Sequence, residues 1–210
     1  ITEDPEMGAL VEEGIPIVMQ GTPDDDRLPS VDVDNIASAQ TAVEHLLRLG
    51  HCHIAHITNS PLTYTAGRDR LSGYRRALES AGLSFDPRLV RTGSFTETSG
   101  FEAMSSLLSE SPWLTAVFVA SDVVALGAIQ AIRQHGLRIP EDISVVGFDD
   151  IPLVSHVQPS LTTIRLPTTE LGFRAGQMLL SLVKGEDIPE QRVLLDTELV
   201  VRGSTAPPAS

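Results

Sequence analysis

Cysteine, lysine and tryptophan each occur once in 210 residues, and tyrosine twice. The single thiol, Cys52, has no partner for a disulfide within the chain and fits a reducing compartment. Lysine and arginine total 15 against 28 acidic residues, a net charge of −13. No basic cluster is longer than Arg75-Arg76, and a surface this acidic repels phosphates. These residues are therefore not expected to touch nucleic acid themselves. No uninterrupted apolar stretch approaches the ~20 residues of a membrane helix. The start, Ile1-Thr2-Glu3-Asp4-Pro5, lacks the basic-then-apolar layout of a signal peptide, and a cytoplasmic location is expected. A Gly-x-Ser-x-Gly elbow and a phosphate-binding loop ending in Lys-Ser/Thr are both missing, so catalysis is not expected and no cofactor is called for.

What is present is an alternation of short β-branched runs with amphipathic stretches, the pattern of a parallel α/β fold. A helix is expected from Asp4-Pro5 to Gly14, then strands at residues 15–20 and 31–33. Ala39, Val43, Leu46 and Leu47 fall at helical spacing before Gly50, and residues 54–58 read as a buried strand. Leu71, Tyr74, Leu78 and Ala81 form the next stripe, residues 89–91 a strand, and Phe101, Met104 and Leu108 another helix. Residues 116–120 are a strong strand, and Ser121 is suited to cap the helix through Ala125, Ile129 and Ile132. Strands at 143–147 and 162–164, a helix near 169–183 and a strand at 193–201 follow, with residues 205–210 expected to be disordered. A parallel sheet grows by β-α-β units, yet the first element is a helix. The chain therefore reads as a fragment lacking at least one upstream unit.

In open α/β sheets, ligands sit at the carboxyl ends of the strands. Residues just beyond those ends include Arg68, Arg70, Phe95, Ser121, Asp149 and Arg165-Leu166. Arginine and aspartate each bridge neighbouring hydroxyls with two hydrogen bonds, and an aromatic covers a ring's apolar face, so this rim suits a polyhydroxylated small molecule. His51, His53 and His56 invite a metal reading. On one strand, however, His53 and His56 point to opposite faces, so no metal is expected. Trp113 precedes a strand and belongs at the edge away from the rim.

Several segments resemble the LacI-type transcriptional regulators: Val43-Glu-His-Leu-Leu-Arg-Leu-Gly-His51, Arg70-Leu-Ser-Gly-Tyr74, Ala125-Leu-Gly-Ala128, Ile139-Pro-Glu-Asp-Ile-Ser-Val-Val-Gly-Phe-Asp-Asp150 and Leu161-Thr-Thr-Ile164. The likeness runs from about Ile15 to Thr205 and is most specific over 139–150. It implies a two-lobed, periplasmic-binding-protein-like fold with an incomplete N-terminal lobe. That lobe would hold residues 1–61 and 165–188, and the C-terminal lobe residues 62–164 and 189–204. It implies that Arg70 and Asp149 grip effector hydroxyls, that Phe95 lies against a sugar ring, and that Ser121 and Leu166 line the cleft. Ser121 stands where the family usually has Asn, Leu166 where Gln is common, and Gly21 where Asp is frequent, which points to a ligand with fewer hydroxyls or a shifted pose. Leu126, Leu153, Val154 and Val157 are implied at a homodimer interface.

The expected function is the effector-sensing core of a bacterial DNA-binding regulator, a repressor in that family's manner, with a sugar-like effector. Operator DNA would be reached only through a helix-turn-helix head outside this sequence. The alternative is an extracytoplasmic sugar-binding protein of a transporter. Arg70→Ala is expected to abolish effector binding while leaving the melt nearly unchanged.

Overall fold

The computed structural model describes residues 9–10, 12–23, 25 and 27–209. Most of the helix expected from Asp4-Pro5 lies outside them. The strands form two sheets. The smaller has the order β1 (Met19–Gln20), β2 (Ser30–Val33), β8 (Arg192–Leu195), all parallel. The larger has the order β4 (Val90–Arg91), β3 (Ile54–Ile57), β5 (Ala116–Val119), β6 (Ser144–Asp149), β7 (Thr162–Arg165), β9 (Glu198–Val200). Its strands are parallel except for the antiparallel pair β7 and β9.

Period-two alternation builds the large sheet's two cores. Ile54, Ala116, Phe118, Val146 and Phe148 face α1 (Asn35–Arg48) and α2 (Thr65–Ser80), meeting Val43, Leu46, Tyr74 and Leu78. Ala55, Ile57, Val117, Val119 and Val145 face α3 (Glu97–Glu110) and α4 (Asp122–Gln134), meeting Met104, Leu107, Val124 and Ile132. Both faces are covered, which is why these strands read as continuous apolar runs. Helices α1 and α2 touch closely at Gly73, where a Cβ would run into the Ile36 carbonyl. That approach sets Arg70 of α2 beside the first turn of α1.

The sheets divide the chain differently from the boundaries expected at 61/62 and 188/189. Strand β3 belongs to the large sheet, so the first crossing lies at Asp34, directly before α1. Helix α5 (Thr168–Lys184) packs on β1 and β2. The run 193–201, expected as one strand, is two strands in different sheets, with the crossing at Asp196-Thr197. Val193-Leu194-Leu195 and Leu199-Val200-Val201 both read as strand, and the polar Asp196-Thr197-Glu198 between them gives no sign of which sheet each joins. Residues 205–206, expected to be disordered, are held by hydrogen bonds. His51 Nε2 lies 2.8 Å from the Ala206 carbonyl, the Ala206 N–H donates to Ser144 Oγ at 3.0 Å, and Thr205 Oγ1 meets His45 Nε2 at 3.0 Å.

Deleting residues 205–210 should cost about 1–3 kcal/mol in urea denaturation, because His51 and Ser144 would be left buried without these partners. A variant as stable as the parent would contradict this.

Candidate functional site: a buried arginine at the switch point

The chain moves from β3 to β4 on one side, then to β5 on the other, so the carboxyl ends of β3 and β5 flank a topological switch point. Arg70 is anchored there. It is 7% exposed, and its Nη1–H donates to the Ala120 carbonyl at the end of β5, at 2.7 Å. Nε–H donates to Asn35 Oδ1 at 2.8 Å, and the guanidinium lies 3.7 Å from the centre of the Phe148 ring. Asp149 Oδ1 is 3.7 Å from Nη1. Burial pulls the arginine's pKa down, opposed by Asp149, Asp32 and other acids around it.

Asp149 ends β6 with φ +122°, and Asp150 follows at +60°. Two consecutive non-glycine residues at positive φ are costly and persist only where the surroundings enforce them. Ser121 supplies one constraint. It occupies the N-cap position of α4 but makes no side-chain cap bond, and its Oγ–H donates instead to Asp149 Oδ2 at 3.1 Å. Asp122 supplies another. It is fully buried, accepts from Thr163 Oγ1 at 2.7 Å and from the Ile151 N–H at 3.0 Å, and so holds the turn after β6. Gly147 leaves room for it, since a Cβ there would run into Asp122 Oδ1. Burial raises the Asp149 carboxyl, outweighing Arg70 and the Ser121 hydrogen bond. Burial, with Asp149 nearby, pushes Asp122 up to about 7 against the bond from Thr163. Burial opposes ionisation of Asp150 as well, but hydrogen bonds from Arg165 and Arg202 outweigh it and hold that carboxyl low.

The structure thus brings Arg70, Ser121 and Asp149 together. Leu166 joins them through its N–H, which donates to the Asp149 carbonyl at 3.2 Å, while its side chain packs against the core on the Phe148 side. Phe95 stands at the rim, 51% exposed, with φ +58° and its N–H bonded to the Asn59 carbonyl. Tyr64 meets it edge-to-face at 5.2 Å between ring centres. Sequence reading missed Tyr64, Asn35 and Asp122. The Ser121-Asp122 pair at a strand end was a visible signal for the last, whereas Asn35 follows a crossing that the pattern hid. Gly21 has φ +116° and open space where a Cβ would stand.

Other assignments change. Val154 is fully buried in the chain's own core and offers no surface, whereas Leu153 is 54% exposed and Leu126 and Val157 are partly buried. A hollow of about 290 Å³ is lined by Leu126, Ile129, Gln130, Arg133, Gln134 and Val157. The three histidines go to separate partners. His51 bonds Thr115 and Ala206, His53 meets Trp113 edge-on, and His56 lies between the rings of Tyr74 and Phe118. Burial drives His56 down to about 3, so its ring is neutral.

A carboxyl edge with a buried cation, a strained carboxylate, an exposed Phe95 ring and a half-buried Tyr64 ring defines a binding module of the α/β type. A family model for a periplasmic binding protein-like domain matches residues 43–205. The HTH-type transcriptional regulator CelR of Thermobifida fusca is 40% identical over 205 residues, which is 96% of this chain and 60% of that protein. The HTH-type transcriptional repressor CytR of Escherichia coli (strain K12) is 41% identical over 178 residues, 85% of this chain and 52% of that one. Among solved structures, a CelR–cellobiose complex superposes with a TM-score of 0.92 at 39% identity, covering 97% of this chain and 63% of that one. A LacI family regulator from Mycobacterium smegmatis gives 0.89 at 34%, covering 98% and 76%. The chain belongs to the periplasmic-binding-protein-like domain family and, within it, to the LacI family of regulators. It spans 60% and 52% of the length of the two curated relatives.

Arg70→Ala would strand the Asn35, Ala120 and Asp149 acceptors, so the expectation of an unchanged melt is corrected. Breaking such a buried pair costs about 3–5 kcal/mol. An acid whose native pKa is raised stabilises the fold fully below its unfolded value of about 4, and that contribution is lost as pH rises through about 7. Asp122→Asn should therefore lessen the fall in melting temperature between pH 4 and 8. A parent-like slope in the variant would contradict the assignment.

Proposed function

We propose that this chain is the effector-sensing core of a bacterial DNA-binding transcriptional regulator acting as a repressor, and that it binds a sugar or related polar molecule without turning it over. The observation that carries the reading is the buried Arg70 paired with Asp149 at the switch point. A guanidinium that only donates and a carboxylate that accepts together recognise vicinal hydroxyls, and the Tyr64–Phe95 pair offers apolar ring faces beside them. The similarity to CelR, whose complex holds cellobiose, and to the ribose operon repressor of Escherichia coli favours a saccharide over other polar ligands. The same relatives favour a regulator over a transporter's binding protein. Operator contact would come from a helix-turn-helix head, since the net charge of −13 makes this core unsuited to DNA. The regulator would act in the cytoplasm.

Effector binding would shift the relative arrangement of the two sheets and hence the operator-binding state. The functional unit would be a homodimer meeting through Leu126, Leu153 and Val157, with the neighbouring hollow receiving the partner's side chains.

A thermal-shift screen over sugars, polyols and nucleosides tests the effector class. A ligand at about 100 times its Kd stabilises by about 2.7 kcal/mol, and Asp149→Asn should remove the shift of every sugar that gives one. Sugar shifts that persist in this variant would sink the cleft assignment. Leu153→Asp combined with Leu126→Glu should halve the sedimenting mass in ultracentrifugation. An unchanged mass would exclude this face as the dimer contact.

A further inference from the structure

The hydrogen bonds behind Arg70 do not stop at the cleft wall. Its Nε–H donates to Asn35 Oδ1, and Asn35 is the buried first residue of α1, where the chain leaves the small sheet for the large one. The amide nitrogen of Asn35 donates to both Asp32 oxygens, at 3.3 and 3.2 Å, and to the Val33 carbonyl at 3.3 Å. Asp32 sits in β2, the middle strand of the small sheet. It also accepts from Thr22 Oγ1 at 2.9 Å and from the Val33 N–H at 2.8 Å. A continuous polar path therefore runs from Asp149 through Arg70, Asn35 and Asp32 to Thr22, spanning the two sheets.

The polarity of this path constrains its middle member. Arginine donates only and an ionised aspartate accepts only, so the residue between them must accept on one side and donate on the other. A side-chain amide does both within one planar group. Alanine would leave the buried Nε–H of Arg70 without its acceptor, and aspartate would still accept from Arg70 but repel Asp32. We infer that Asn35 is a positioning residue that links the cleft arginine to the small sheet, so that engaging Arg70 is felt at the first crossing between the sheets. This rests on the reading of Arg70 and Asp149 as effector anchors. It adds a specific connection by which occupancy of one sheet's edge biases the other.

The test uses the full chain and the exchange of the Arg70 Nε–H with solvent, followed by NMR. The parent should show slow exchange, and Asp32→Ala, which removes a group two links away, should accelerate it tenfold or more. Asn35→Asp should keep Arg70 protected and abolish the response to Asp32→Ala. Cellobiose and ribose serve as probes of coupling. A sugar that shifts Arg70 resonances in the parent should also shift the amides of Thr22 and Val33, and in Asn35→Asp only the former. Unchanged Nε–H exchange in both Asp32→Ala and Asn35→Ala overturns the link, whichever sugar binds. Sugar binding that survives Arg70→Ala instead defeats the site reading and leaves the exchange result to decide the link separately.

Discussion

A guanidinium taken out of water must find an acceptor for nearly every proton, and Arg70 is buried at the point where the large sheet changes direction. Its neighbours answer part of that demand from three elements: hydrogen bonds to the Ala120 carbonyl at the end of β5 and to Asn35 at the start of α1, and the Asp149 carboxylate and Phe148 ring at the end of β6. Each contact fixes the terminus of an element, so the cleft edge is registered on one side chain. The close approach of α1 and α2 at Gly73 makes this possible by setting Arg70 beside Asn35.

The carboxylates around this cation form a graded set. Asp150 is held ionised by Arg165 and Arg202, Asp149 is strained and partly open, and Asp122 is sealed and easily protonated. Environment alone separates their roles. Asp150 ties the turn to β7 and the C-terminal segment, Asp122 holds its backbone, and Asp149 keeps a partly open carboxylate beside Arg70. Positive φ at 149 and 150 is sustained by these bonds.

Much of this was legible in the residues. Strand runs such as 116–119 announce themselves because both sheet faces are buried, and the strand-end rule singled out Arg70, Ser121 and Asp149. What stayed hidden was connectivity between the sheets. β3 and β8 look the same whichever sheet they join, so the polar breaks at Asp34 and Asp196-Thr197 do not distinguish a crossing from an ordinary loop. Ser121 has the composition of a helix cap, and only the proximity of Asp149 draws its hydroxyl away. Val154, which the resemblance implied at a homodimer interface, is instead turned into the core by the short helical turn Pro152–Ser155.

The central claim is that Arg70 and Asp149 together receive the ligand. A crystal structure of the chain with the sugar giving the largest thermal shift tests it most directly. The account predicts sugar hydroxyls within hydrogen-bond distance of the Arg70 guanidinium and the Asp149 carboxylate, with a ring face against Phe95 or Tyr64. A sugar seated elsewhere, for example in the hollow lined by Ile17, Leu28, Leu182 and Ile188, with Arg70 still bonded only within the chain, would contradict it.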